Sequence, residues 1–190
     1  MLIIAAESMG PVMTRRSILI GLATVLLAAG AAFPATAGRS APASATALSG
    51  LELRVLEQLN VVRREHGLRE LRPSAELAAA ARSHSFEMVE RGYFSHSSAD
   101  GSQYWQRIAR DYPRAGHPRY SVSENLLWAS PTIGARGALG VWMNSPPHRR
   151  TILGAAWREI GIAAVASRSA PGKFRGATVT VITLDFGVRQ

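Results

Sequence analysis

The apolar residues of this chain change period once, and the change limits the fold more than any other feature. From Leu51 to Trp142 they recur at helical spacing; from Ile160 to Phe186 they alternate. A helical period cannot rest as a strand, nor an alternating one as a helix, so the chain must place helices first and strands last. That order predicts an α+β fold in which the terminal strands form an antiparallel sheet covered by the earlier helices. With 190 residues, one compact domain and a tail is the expectation.

Leu51, Val55, Leu56, Leu59 and Val62 mark a first helix that ends at His66-Gly67. Ser74 is a good N-cap for a second, through Leu77, Ala81, His84 and Met88, stopped at Arg91-Gly92. A short third helix is expected within Gly101–Arg110. Ser130-Pro131 reads as the start of a fourth through Ala138 and Trp142, which Pro146-Pro147 should end. Two strands follow: one carries Ile160, Ile162, Ala164 and Ala166, the other Thr178, Thr180, Ile182, Leu184 and Phe186, with Pro171-Gly172 as the turn.

Residues 1–37 read as a signal peptide. Arg15-Arg16 precedes the apolar run Ile18 to Leu27, and the small residues Ala35-Thr36-Ala37 supply a cleavage site. Thr14-Arg15-Arg16-Ser17 is twin-arginine-like, and Met13 is a possible start. The apolar run falls short of the ~20 residues a spanning helix needs, so no stable membrane span is expected after cleavage. Residues 38–50, small residues and proline, read as a linker, leaving 51–190 as the folded domain. The protein is expected to be exported, periplasmic or extracellular.

No cysteine is present, which removes disulfides, thiolate metal sites and a cysteine nucleophile. The formal charge of +9 lies almost wholly after Gly38 and suits an anionic cell-envelope component. The aromatic interleaving of a nucleic-acid platform is missing, so nucleic acid is excluded as a partner.

His96, Glu124 and His148 sit at expected element boundaries, where side chains are free to face a cleft, and His117 is a less convincing fourth. His84 lies on the apolar face of the second helix and reads as a packed, hydrogen-bonded residue. Two imidazoles from separate segments can hold a divalent metal while a carboxylate orients one ring or activates a water. Spacing alone leaves equally open that these groups brace loop backbones; Ser95 and Ser97 read as loop hydrogen-bonding residues. There is no His-Glu-x-x-His, no nucleophile elbow, no phosphate-binding glycine loop and no closely spaced carboxylate pair.

Seven motifs in order carry a resemblance: Asn60-Val61-Val62-Arg63; Leu77-Ala78 with Ala81-Arg82 and His84; Tyr93-Phe94-Ser95-His96; Ser123-Glu124-Asn125-Leu126; Trp142 with Asn144-Ser145-Pro146, His148-Arg149 and Ile152-Leu153; Glu159-Ile160-Gly161-Ile162; and Asp185-Phe186-Gly187. Over Leu51 to Gly187 the chain resembles the CAP superfamily (cysteine-rich secretory, antigen five and pathogenesis-related proteins) in its short bacterial, SCP-like form. The resemblance implies an α-β-α sandwich with a three- or four-stranded antiparallel sheet between helices. It also implies a cleft lined by His96, Glu124 and His148, with zinc or another divalent metal between the two histidines. A second cleft glutamate has no counterpart, since Asn144-Ser145 stands there.

Three functions remain open at this level. The first is a monomeric binding module for a lipid, another small apolar ligand or an envelope-derived one. The second is a metal-assisted hydrolase with Glu124 as general base. The third is a structural or interaction domain of the envelope, and an enzyme is the less favoured reading.

Overall fold

The computed structural model describes residues 3–13, as backbone, and 48–190. The leader's apolar run and cleavage site, and most of the expected linker, lie outside the described residues. Strand β1 (Ile3–Met13) is followed by α1 (Gly50–Glu65), β2 (Arg72–Pro73), α2 (Ala75–Arg91), α3 (Tyr104–Asp111), β3 (Tyr120–Ser130), α4 (Ala135–Asn144), α5 (Pro146–Ile152), β4 (Glu159–Ala170) and β5 (Ala177–Arg189).

The sheet order is β1-β3-β5-β4-β2. β3, β5 and β4 form its antiparallel centre; β1 runs antiparallel along β3, and the two-residue β2 is parallel to β4. The fold is α+β, as the period change implies, with the sheet between helices, as the resemblance implies; the expected order of helices first and strands last is broken by β3, which precedes α4 and α5.

β5 is central, and every residue from Val179 to Val188 is buried, so both of its faces are covered. Alternation sends its side chains to two different layers. Ile182, Leu184, Phe186 and Val188 join Leu127 and Ala129 of β3 against α1, α4 and Ile152 of α5. Val179 and Val181 join Leu126 and Trp128 against the end of α2, while Val122 packs with Leu77, Tyr104, Ile108 and Tyr112 of α2 and α3.

The helix ends follow the expected chemistry at α1 and α2. Ser49 and Glu52 form a capping box on α1, Ser74 caps α2, and Gly92 ends α2 in the left-handed conformation. The Glu52 carboxylate is fully buried and also accepts from the amide of Ala164 at 3.0 Å and from Arg82 at 3.2 Å. Arg63 does the same at the other end of α1, donating to the carbonyls of Arg69, Ile152 and Gly154.

Elsewhere the structure corrects the sequence expectations. The short third helix begins three residues later than its expected first residue, at Tyr104. Ser130 closes β3, and α4 starts at Ala135 behind Gly134. α4 does stop before the two prolines, but Pro146-Pro147 then open α5, where their missing N–H groups cost nothing. The turn at Pro171-Gly172 continues as a 3₁₀ turn through Phe174. Residues 120–130, given no element by the sequence patterning, form β3: the polar Ser121, Ser123, Glu124 and Asn125 hide its strand character. The expected three- or four-stranded antiparallel sheet is extended by β1 and by the parallel β2.

One glycine sets the distance between α2 and the sheet. A Cβ on Gly161 of β4 would lie 2.1 Å from the Leu77 carbonyl carbon and 2.3 Å from the Ala78 nitrogen, both backbone atoms that cannot swing aside. Gly161→Ala is expected to push α2 off β4 and cost about 2–3 kcal/mol, read as a lowered urea midpoint at unchanged slope.

Candidate functional site

Glu124 projects from β3 toward α2 and α3 and is fully buried. A carboxylate there must be paired, because a lone buried charge is very costly. Its Oε1 accepts from His96 Nδ1 at 2.7 Å, and its Oε2 accepts from the guanidinium of Arg107 on α3. Burial alone would raise the Glu124 carboxyl; the Arg107 charge and the His96 hydrogen bond outweigh it and hold the group below its usual value. Arg107 also donates to the His96 carbonyl and to Ser98 Oγ, both at 3.2 Å, which fixes the loop that carries His96.

The Glu124 bond sets the His96 tautomer: with Nδ1–H given to the carboxylate, Nε2 keeps its lone pair. That nitrogen is buried and has no hydrogen-bond partner. The ring is therefore aimed, with one nitrogen in reserve.

His148 is reached differently. It occupies the first turn of α5, is 3% exposed, and its Nδ1 lies 2.6 Å from Oγ of Ser145, the α5 cap. Its carbonyl accepts from Asn125 Nδ2 at 3.2 Å. Asn125 follows Glu124 on β3, so alternation places the two side chains on opposite faces of the sheet. The structure joins His96 directly to Glu124, and ties His148 to the next residue of the same strand from the other face.

The remaining histidines are structural. His84 is fully buried, donates Nε2–H to the Ser95 carbonyl at 2.9 Å, and is pushed down to about 4, chiefly by burial. His117 lies in the loop between α3 and β3, where its backbone bonds Arg114. Ser95 Oγ accepts from the Ser97 amide and Ser97 Oγ from Gln103, as loop-bracing residues do. A recess of about 390 Å³ between α2 and α3 is walled in part by His84, Glu87, Asp100, Arg107 and Arg110; it borders the cluster on the Arg107 side.

Sequence reasoning did not single out Arg107, and it quoted Asn125 and Asp185 only as motif residues, with no part in the site. Arg107 stands between Tyr104 and Ile108 on the buried face of a short helix, and a basic residue inside an apolar stripe was the available signal. Asp185, fully buried on β5 directly opposite Glu124, falls between the alternating residues Leu184 and Phe186, on the face where a polar residue breaks no pattern.

Among the described residues no group of three His, Asp or Glu side chains is placed to hold a metal ion. The donor set fits such an ion in one respect, the partnerless Nε2 of His96, and any ion there would need further ligands from water or a bound molecule.

Two outcomes test the cluster. Arg107→Met removes the cation beside a buried carboxylate and should cost about 3–5 kcal/mol in urea unfolding, much of it recovered in Arg107→Met/Glu124→Gln. His84, whose folded value lies below its ordinary 6.5, contributes stability that is present above that pH and is lost as pH falls toward about 4. The thermal midpoint of wild type should therefore drop faster through that window than that of His84→Gln.

Comparison with known proteins agrees with this architecture. The CAP family model, described as the cysteine-rich secretory protein family, matches residues 56–186. The uncharacterized protein YkwD of Bacillus subtilis is 33% identical over 144 residues, covering 72% of this chain and 51% of that protein. The uncharacterized membrane protein YlbC of the same organism is 31% identical over 114 residues, covering 58% and 30%. The chain thus spans about half, or less, of these curated relatives. Solved structures with the same fold include an extracellular SCP-domain protein of Bacillus anthracis (TM-score 0.56, 24% identity, 74% of this chain and 41% of that one). Another is an outer surface protein of Borrelia burgdorferi (TM-score 0.54, 18% identity, 72% and 90%). With the family model matching well over half of its length, the chain belongs to the CAP, or cysteine-rich secretory protein, family.

Proposed function

We propose that this CAP domain is an exported binding module of the cell envelope or extracellular space, acting as a monomer, whose ligand is held at His96. The observation that carries the reading is the buried Nε2 of His96, left without a partner on a ring that Glu124 fixes from the other side. Such a nitrogen suits a divalent metal such as zinc, or a hydrogen-bond donor on a small apolar or envelope-derived ligand. His148 is the second candidate metal ligand, tied through its carbonyl to Asn125, the residue after Glu124 on β3. A bound divalent ion would supply a Lewis acid there. Export is supported by the leader pattern and by relatives described as extracellular or outer-surface proteins. Cleavage near Ala37 would remove β1 with the leader and free the edge of β3 that it pairs with.

The 2.7 Å His96–Glu124 pair also favours a second reading, a hydrolase in which His96 is the base. Glu124 is poorly suited to be that base, because its two oxygens accept from His96 and Arg107 and its charge is stabilised. Its part in either reading is orientation.

Zinc binding tests the proposal. The exported protein, prepared metal-free, should bind zinc by calorimetry; His96→Ala and His148→Ala should each lose that binding, and Glu124→Gln should weaken it about 10–100-fold. Unchanged affinity in His96→Ala would remove the metal part of the reading.

A further inference from the structure

The buried charges around Glu124 do not balance until Asp185 is considered. Asp185 and Glu124 are directly opposed in the β3–β5 register, and both are fully buried. Side chains of directly opposed residues leave the sheet on the same face, with their Cβ atoms about 4.5–5.5 Å apart. Neither carboxylate oxygen of Asp185 receives a hydrogen bond from any donor. The neighbouring group within its reach is another acceptor, the Glu124 carboxylate.

The titratable and charged groups around it are Glu124 from β3, Tyr104, Arg107 and Asp111 from α3, and, felt through Glu124, His84 from α2 and His96 from the loop after it. Arg107 directs its two terminal nitrogens to Glu124, the His96 carbonyl and Ser98, and its Nε–H makes no hydrogen bond. His84 gives its Nε2–H to Ser95. An ionised Asp185 would thus leave two buried carboxylates against one guanidinium, with no hydrogen bond made to the second. Two carboxyl groups that both only accept make no bond; with one proton between them they make a strong one.

We infer that Asp185 is a neutral carboxylic acid at neutral pH, its O–H donated to Glu124, and that it is a positioning residue for the His96–Glu124 pair. A carboxylate has about four lone-pair sites, so Glu124 can accept from Asp185 as well as from His96 and Arg107. Three donors then fix the plane of the carboxylate that sets the His96 ring. Burial, first, and the Glu124 charge, second, both push the Asp185 carboxyl well above its usual range. The inference concerns the apo cluster and stands whether or not a metal binds at His96.

Linkage gives a test with a definite sign. The folded value of Asp185 is raised above its ordinary 3.8, so its favourable contribution is complete below that pH and is lost as pH rises toward the folded value. Asp185→Asn presents a neutral side chain with an N–H donor in both states and escapes that loss. In urea unfolding of the full chain, the folding constant of Asp185→Asn relative to wild type should rise about tenfold per pH unit between about pH 5 and about pH 7. A ratio that stays flat through this window means Asp185 is ionised and overturns the inference. Infrared spectra of wild-type protein with ¹³C-labelled aspartate decide the same point without a variant: a carboxylic-acid C=O band at neutral pH is expected, and its absence overturns the inference even if Asp185→Asn fails to fold.

Discussion

A single buried negative charge organises one side of this molecule. Glu124 sits on β3 where no water reaches, and a carboxylate in such a place requires partners that are themselves held. The partners come from different parts of the chain: His96 from the loop after α2, and Arg107 from α3. Because Arg107 also binds the backbone of the His96 loop, the same guanidinium that neutralises Glu124 fixes the segment that carries its other partner. The loop, α3 and the strand are therefore determined together, and none has reason to keep its place without the charge.

α1 obeys the same rule at its two ends. Glu52 and Arg63 are both fully buried on one helix, yet each is consumed by backbone groups of distant segments. Glu52 joins the start of α1 to β4, while Arg63 joins its end to the carbonyls after α5. These contacts use charged side chains as long-range backbone partners in a chain without cysteine. Between them the apolar cluster beneath α1 and α4 supplies area, and the close approach at Gly161 lets α2 lie flat on the other face.

The period change from helical to alternating spacing was enough to read the fold class and the two terminal strands. It failed at β3, where alternation is broken by the polar residues that make the site: Glu124 and Asn125 are there because both faces of that strand are covered and each face needs a polar anchor. His96, Glu124 and His148 were legible as residues out of step with their periodic surroundings. Arg107 and Asp185 were not, because each lies inside a periodic run, and their meaning comes only from what tertiary packing sets opposite them. The double proline misled for a related reason: a residue that stops one helix also suits the first turn of the next, and only the path of the chain distinguishes the two.

The two histidines are fastened by unlike means, and the difference bears on what the site can do. His96 is held by an anion, which fixes its tautomer and increases the electron density at the far nitrogen. His148 is held by a hydroxyl and through its own backbone, with Ser145 standing where a carboxylate would have supplied charge. A hydroxyl can orient a ring but cannot stabilise an imidazolium as a carboxylate does. The two rings are therefore fixed by unlike groups, an anion at His96 and a hydroxyl at His148. That asymmetry follows from the side chains that meet each ring, Glu124 on β3 and Ser145 at the start of α5.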